Sequence, residues 1–306
     1  MSSAADRTAN GPANGPADWA VEGRDWPDCE ASRFVEAGGL RWHVQVQGRG
    51  PVLLLLHGTG AATHSWRDVA PRLAARYTVV APDLPGHGFS TVLPRAQCTL
   101  PGFAAALQAL TQVLQRPPVF VAGHSAGAAI AAQMALQPGS SVQRLAWINP
   151  ALQPFGGGWS GLVFAPLARW MAQRPQVARL AAWRAGDARA VQRLIDGTGS
   201  TLDARGVELY RRVLARPDHV AGALAMMAGW DLAPLAAALP RLATPVLLIV
   251  GTGDRTVPPA QADAARAQLP GTLPVELQRL PGLGHLAHEE APAQVAELLS
   301  RWFVSA

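Results

Sequence analysis

Five short apolar runs constrain the fold of this chain more than any other feature of its sequence. Each is followed by turn residues, and they lie at Val52–Leu56, Val79–Ala81, Val119–Ala122, Leu145–Ile148 and Val246–Val250. These runs are too short for buried helices. Strands that are apolar on both faces are typical of a parallel sheet that is covered on both sides.

Helical stretches separate these runs, so the sequence predicts an α/β fold with a doubly wound, mostly parallel sheet. The expected helices lie at about Trp66–Arg76, Leu100–Gln115, Ala126–Leu136, Pro259–Gln268 and Pro292–Trp302. Val275–Leu280 is a further strand candidate. The more alternating run Leu40–Val46 predicts an antiparallel hairpin at the edge of the sheet.

The alternation of strand and helix stops between Asn149 and about Leu242, where the chain is helical and rich in Trp and Arg. We therefore expect a core of residues 21–148 and 243–306, and a helical lid insertion at residues 149–242. Residues 1–20 read as a disordered tail without the basic and apolar regions of a secretory signal, which favours a cytoplasmic location. Ligands bind at the carboxyl edge of such sheets, so the insertion is expected to cover the site.

Composition excludes several classes of function. All 26 basic residues are Arg, and the net charge of +5 is spread along the chain, which argues against a nucleic-acid-binding arm. Without Lys, neither a phosphate-binding P-loop nor a pyridoxal Schiff base can form. Cys29 and Cys98 have no zinc-type spacing, so the sequence predicts no metal and no cofactor.

A candidate nucleophile lies in Gly123–Gly127 (GHSAG), between a strand and a helix of small residues. This is the G-x-S-x-G nucleophile elbow, in which a sharp turn exposes the hydroxyl of Ser125 at the top of the sheet. The helix N-terminus beneath it favours negative charge. The bare pattern is weak evidence, and its strand–turn–helix context makes it strong.

A serine nucleophile needs a base and an acid, which follow it along the chain in this fold. Asp254 follows the strand that ends at Val250, and His285 follows the next strand. His285 would take the proton of Ser125, and Asp254 would fix the tautomer of the histidine. Three rival residues are Asn149, which carries no charge, Asp231, which lies in the insertion, and His288, one helical turn beyond His285.

The loop His57–Gly60 (HGTG) follows the first core strand and predicts an oxyanion hole. We expect its donors to be the backbone N–H groups of Thr59 and Ala126. His57 is expected to brace this loop through its ring nitrogens. Structural roles are also expected for His87, in a turn at the sheet edge, and for His124, beside the nucleophile.

With these motifs the chain resembles the α/β-hydrolase superfamily over its ordered length. It is also similar to the BchO-type magnesium-chelatase accessory proteins of (bacterio)chlorophyll-synthesising bacteria. The segments that carry this second resemblance are Arg24–Pro27, Ala31–Gln45, His57–Arg67, Gly222–Met227 and Pro281–Glu290. The resemblance implies a role near the insertion of magnesium into protoporphyrin, without supplying a reaction or a substrate.

Two hypotheses of function follow. The chain is a serine hydrolase acting on an ester, thioester or amide, or it is a non-catalytic tetrapyrrole-binding or chaperone factor for magnesium chelatase. Leu145–Ala168 contains no charged residue, which predicts an apolar lid and leaves peripheral membrane contact as an alternative. Trp159, Trp170, Trp183 and Trp230 are candidates to line the lid, where a tetrapyrrole substrate with carboxylates would suit flanking Arg residues.

Overall fold

The computed structural model describes residues 19–154, 171 and 174–304. Their central feature is an eight-stranded sheet in the order β1-β2-β4-β3-β5-β6-β7-β8. The strands are β1 Ser32–Ala37, β2 Leu40–Gln47, β3 Val52–Leu56, β4 Thr78–Pro82, β5 Phe120–His124, β6 Arg144–Ile148, β7 Val246–Gly251 and β8 Val275–Leu280. Most of the predicted tail, the greater part of the uncharged stretch, Trp159 and Trp170 lie outside the described residues.

Strand directions agree with the sequence pattern. β1 and β2 form an antiparallel hairpin, and β2 pairs antiparallel with β4. All pairs from β4–β3 to β7–β8 are parallel. The predicted doubly wound, mostly parallel sheet with an antiparallel edge is confirmed.

The helices are α1 Trp19–Glu22, α2 Ala70–Leu73, α3 Leu100–Val113, α4 Ala126–Ala135, α5 Pro175–Ala185, α6 Ala188–Gly197, α7 Ala204–Leu214, α8 Pro217–Ala228, α9 Ala233–Ala238, α10 Ala260–Gln268, α11 Ala287–Glu290 and α12 Pro292–Val304. The prediction of one helix over Trp66–Arg76 is only partly confirmed. A 3-10 turn ends at Trp66, and α2 begins at Ala70 with Pro71 in its first turn. Because proline has no N–H, it is tolerated at a helix start and disfavoured inside one.

Both faces of the central strands are buried, which explains their continuous apolar runs. Successive residues of β3 alternate between two core clusters: Leu54 and Leu56 belong to one, and Leu53 and Leu55 belong to the other. The first cluster includes side chains of α3 and α4, and the second includes side chains of α2 and α12. Alternation with a period of two is what a strand requires, so every position of β3 faces a layer of helices.

The helices α5 to α9 lie between β6 and β7 in the chain, yet β6 and β7 are neighbours, with Ile148 paired to Ile249. The chain therefore leaves the sheet after β6 and returns to the adjacent position. We call residues 149–242 the inserted segment. Among the described residues, no single helix is long and apolar enough to cross a membrane. Helix α8 and residues 233–241 reach that length and apolar character only when taken together, and their axes differ by 53°.

Candidate active site

Ser125 occupies a sharp turn between β5 and α4. Its backbone has φ 53° and ψ −117°, a region that residues with a β-carbon rarely adopt. Strain of this kind typically costs about 1–3 kcal/mol and persists where the surrounding structure enforces it. A β-carbon built on Gly123 would lie 2.4 Å from the carbonyl of Gly127, so this turn requires glycine on the strand side of the serine.

Asp254 lies in the loop after β7, and hydrogen bonds saturate its carboxylate. Oδ1 accepts the backbone N–H groups of Thr256 and Val257 at 2.8 and 2.9 Å. Oδ2 accepts Asn149 Nδ2 and His285 Nδ1, both at 2.7 Å. Burial favours the neutral acid, but the hydrogen bonds and the charge interaction with His285 outweigh it and lower the pKa of Asp254. The aspartate is therefore held in its charged form.

His285 lies in the loop after β8, with its side chain 8% exposed and that of Asp254 1% exposed. The Nδ1–H bond to Asp254 fixes the tautomer and leaves Nε2 with its lone pair. The backbone carbonyl of His285 accepts His124 Nε2 at 2.8 Å. Because His124 directly precedes Ser125, this bond ties the histidine loop to the nucleophile turn.

The loop after β3 lies directly against that turn. A β-carbon on Gly58 would lie 2.8 Å from His124 Nδ1 and 3.0 Å from the β-carbon of Ser125. Thr59 and Ala126 therefore belong to two segments that meet beside Ser125. Ala126 begins α4, and the first N–H groups of a helix have no partner within it. The N–H groups of Thr59 and Ala126 stay the predicted donors to an oxyanion.

His57 and His219 join neighbouring loops at this edge of the sheet. His57 Nδ1 donates to Gly58 O at 2.8 Å, and its Nε2 accepts the N–H of Leu84 at 2.9 Å. From α8, His219 Nδ1 accepts the N–H of Gly88 at 3.0 Å, and Nε2 donates to Gly60 O at 3.1 Å. Both nitrogens of each ring are hydrogen-bonded to backbone groups, which is consistent with the bracing role expected for His57.

The structure brings neither His288 nor Asp231 into a catalytic arrangement. His288 is fully buried in α11, with its ring 4.7 Å from that of Trp66, and burial lowers its pKa well below the usual range. Asp231 accepts the backbone N–H of Ala233 at 3.0 Å, next to the start of α9. Within residues 19–154 and 174–304, no group of three or more His, Cys, Asp or Glu could hold a metal ion.

Asn149 makes contacts within the candidate site that sequence reasoning misses. It cannot replace the acid, but its amide donates to Asp254 Oδ2 at 2.7 Å and to Gly284 O at 3.2 Å. It therefore links the acid loop to the histidine loop. Its position at the end of β6, between the nucleophile strand and the acid strand, is the signal in the sequence that could have identified it.

The sheet topology and the order serine, aspartate, histidine on loops after β5, β7 and β8 define the class of α/β-hydrolases. The profile of the alpha/beta hydrolase family matches residues 53–298, and the chain belongs to this family. Over 281 residues it is 44% identical to the magnesium-chelatase 30 kDa subunit of Rhodobacter capsulatus, covering 91% of this chain and 96% of that protein. The resemblance seen in the sequence is thereby confirmed.

Two further comparisons widen this picture. The chain is 30% identical to a pimeloyl-[acyl-carrier protein] methyl ester esterase of Vibrio vulnificus over 242 residues, 75% of this chain and 86% of that protein. The solved structure of the epoxide hydrolase CorEH, without ligand, superposes with a TM-score of 0.75 at 24% identity, covering 90% of this chain and 98% of that one. The structural likeness concerns the fold alone, since one fold hosts many chemistries.

Proposed function

We propose that this chain is a serine hydrolase that cleaves an ester, thioester or amide through an acyl-enzyme on Ser125. The observation that carries the proposal is the buried pair of His285 and Asp254, joined at 2.7 Å, with the histidine loop hydrogen-bonded to His124 beside the nucleophile. A binding protein has no need of a charged aspartate held by four hydrogen bonds behind a histidine. An acyl-transfer enzyme needs that arrangement to activate its serine.

In the first half of the reaction, Ser125 Oγ attacks the carbonyl carbon of the substrate while His285 Nε2 takes its proton. The electron pair of the carbonyl moves to oxygen, and the N–H groups of Thr59 and Ala126 stabilise the resulting oxyanion. Asp254 stabilises the imidazolium across the Nδ1–H bond. When the oxyanion collapses, the bond to the leaving group breaks, and the leaving group takes the proton from Nε2.

In the second half, water attacks the acyl carbon and gives its proton to His285 Nε2. A second oxyanion forms between the same two N–H groups. Its collapse breaks the bond to Ser125 Oγ, which recovers the proton from the histidine, and the acid product leaves. Each oxyanion-hole donor typically contributes about 10²–10³ in rate, so the paired donors and the base together account for a large acceleration.

Two relatives support the setting of this reaction. The esterase of Vibrio vulnificus is named for a methyl ester substrate, and the relative from Rhodobacter capsulatus is named as a magnesium-chelatase subunit. We propose a hydrolase associated with magnesium-protoporphyrin and bacteriochlorophyll biosynthesis, with a tetrapyrrole ester as a candidate substrate. Contact with the chelatase, a cytoplasmic location and peripheral membrane contact belong to the same proposal.

A fluorophosphonate probe tests the hydrolase directly. The wild-type chain should be labelled at Ser125, and Ser125→Ala should not. Ser141→Ala is the matched control, because Ser141 lies at the amino ends of β5 and β6, away from the loops at their carboxyl ends. Its Oγ donates to Pro118 O at 2.8 Å. Asp254→Asn is expected to lower kcat on nitrophenyl esters by about 10⁴. No labelling of the wild type, or equal labelling of Ser125→Ala, would refute the proposal.

A second candidate, a non-catalytic tetrapyrrole-binding or chaperone factor, is favoured by the 44% identity to a magnesium-chelatase subunit. Trp183, 71% exposed on α5, is a reporter for it, whereas Trp230 packs edge-on against Phe103 at 5.8 Å. Protoporphyrin or its magnesium form should then quench Trp fluorescence at micromolar concentration in wild type and Ser125→Ala alike. Normal pigment synthesis in a strain carrying Ser125→Ala would favour this candidate over the hydrolase.

A further inference from the structure

Three consecutive backbone N–H groups around His285 are held by the inserted segment and by one glutamate. Gly284 N donates to Glu290 Oε2 at 2.8 Å, His285 N to Thr198 O at 3.3 Å, and Leu286 N to Ser200 Oγ at 2.8 Å. Thr198 and Ser200 lie between α6 and α7. We call residues 198–201 the clamp turn. The histidine loop is thus fastened to a segment outside the sheet.

The clamp turn also holds the acid loop. Thr198 O accepts the N–H of Arg255 at 3.0 Å, in addition to that of His285. Thr201 N donates to Glu290 Oε1 at 3.0 Å, so the carboxylate of Glu290 joins the clamp turn to the histidine loop. One turn of the inserted segment therefore contacts the residue after the aspartate and the backbone of the histidine.

Backbone lies directly on backbone at this contact. Gly199 has φ 83°, and a β-carbon there would lie 2.1 Å from Gly253 O. A β-carbon on Gly284 would lie 2.3 Å from the carbonyl carbon of Gly199. No side chain lies between them, so the clamp turn packs directly against the acid loop and the histidine loop.

From these contacts we infer that Ser200 and Glu290 are positioning residues, which aim the imidazole of His285 at Ser125. This inference rests on the proposed hydrolase function. Ser200 is 2% exposed, so without its hydroxyl the N–H of Leu286 would be buried and unsatisfied. The loop would move to recover a partner. A displacement of about 1 Å in a catalytic group can cost on the order of 10² in rate.

Three variants test the inference. Ser200→Ala and Glu290→Ala should lower kcat by about 10- to 100-fold with KM unchanged, because the loops move and the substrate contacts do not. Glu290→Gln keeps one acceptor oxygen and should fall between Glu290→Ala and the wild type. The second-order rate of fluorophosphonate labelling should follow the same order.

Two controls separate positioning from general loss of hydrogen bonds. Ser141→Ala also removes one serine hydrogen bond, but at the amino ends of β5 and β6, away from the candidate site. Glu208→Ala removes a glutamate of α7 that binds Arg211 at 2.6 Å. Both should react at the wild-type rate. Thermal unfolding of every variant shows whether it is folded, and Glu290→Gln carries the test if Ser200→Ala does not fold.

A spectroscopic measurement distinguishes failure of this inference from failure of the hydrolase. The low-field proton resonance of His285 Nδ1–H reports the bond to Asp254 whether or not Ser125 reacts. If the wild type is not labelled, the hydrolase fails, and an altered resonance in folded Ser200→Ala and Glu290→Ala still supports positioning. Wild-type labelling rates, or an unchanged resonance, in these folded variants would overturn the inference.

Discussion

His87 makes the stability of this chain depend on pH in a way that one substitution can isolate. Its ring is fully buried in the loop after β4, with Nδ1 3.2 Å from Pro85 O and the rings of His57 and His219 each 5.3 Å away. Burial is the main cause that lowers the pKa of His87 to about 3, and the neighbouring His57 adds to it. The folded chain therefore keeps His87 neutral at pH values where the unfolded chain protonates it.

The sign and size of the effect follow from linkage. The folded pKa lies below the unfolded value of about 6.5, so between these values the unfolded state binds the extra proton and gains stability as the pH falls. Between about pH 7.5 and about pH 5, His87 is expected to lower the free energy of unfolding by about 2 kcal/mol. As the pH falls, the free energy of unfolding begins to decrease near the pKa of His87 in the unfolded chain. The decrease levels off only near the pKa in the folded chain.

Urea unfolding of the wild type and of His87→Gln at several pH values measures this contribution. The glutamine can still donate to Pro85 O but does not titrate. The decrease in unfolding free energy from about pH 7.5 to about pH 5 should be smaller in the variant by about 2 kcal/mol. Other buried histidines with lowered pKa, such as His124 and His288, contribute equally to both proteins. The same pH dependence of the unfolding free energy in the wild type and in His87→Gln would refute the reasoning.

Three other substitutions have defined expected outcomes. Gly58→Ala places a β-carbon 2.8 Å from His124 Nδ1, so fluorophosphonate labelling of Ser125 should slow by at least about tenfold; labelling at the wild-type rate would contradict this placement of the loop. Asn149→Ala removes one of the hydrogen bonds that lower the pKa of Asp254, and kcat on nitrophenyl esters should fall by about tenfold, with Ser141→Ala as the unchanged control. Glu289→Leu removes the carboxylate that lies 2.5 Å from Arg67 Nη1 and leaves the guanidinium with Asp68 at 3.2 Å and Asp203 at 3.9 Å. Urea unfolding should show a loss of about 1.5–3 kcal/mol in unfolding free energy, and an unchanged value would mean that the ion pair with Glu289 does not stabilise the fold.

The central strands could be predicted because helices cover both of their faces, and β3 matches residue for residue at Val52–Leu56. The edge strand β8 is also observed where it was predicted, at Val275–Leu280, although most of its residues are not buried. The helix expected at Trp66–Arg76 is broken, because Pro71 fits only the start of a helix and a 3-10 turn precedes it. Periodicity reports which faces are buried, and it does not report where a backbone hydrogen bond is missing.

The site could be predicted only as far as chain order and motif determine it. Ser125, Asp254 and His285 were found because the fold places its catalytic loops after particular strands. Their catalytic roles and the donors Thr59 and Ala126 stay predictions that await the labelling experiment. The contacts of Asn149 and of the clamp turn were missed, because they join distant segments through backbone and amide groups that no motif marks. For Asn149, only its position directly after β6 could have indicated them.

The left-handed backbone of Ser125 has a consequence for engineering. Glycine adopts φ 53° without the steric penalty that serine incurs. Ser125→Gly should therefore raise the free energy of unfolding by about 1 kcal/mol or more, while it removes the nucleophile. A library of variants selected for thermostability alone is therefore expected to enrich this substitution. Selection for a more stable variant must include an activity screen, because glycine favours stability at position 125 whereas serine is required as the nucleophile.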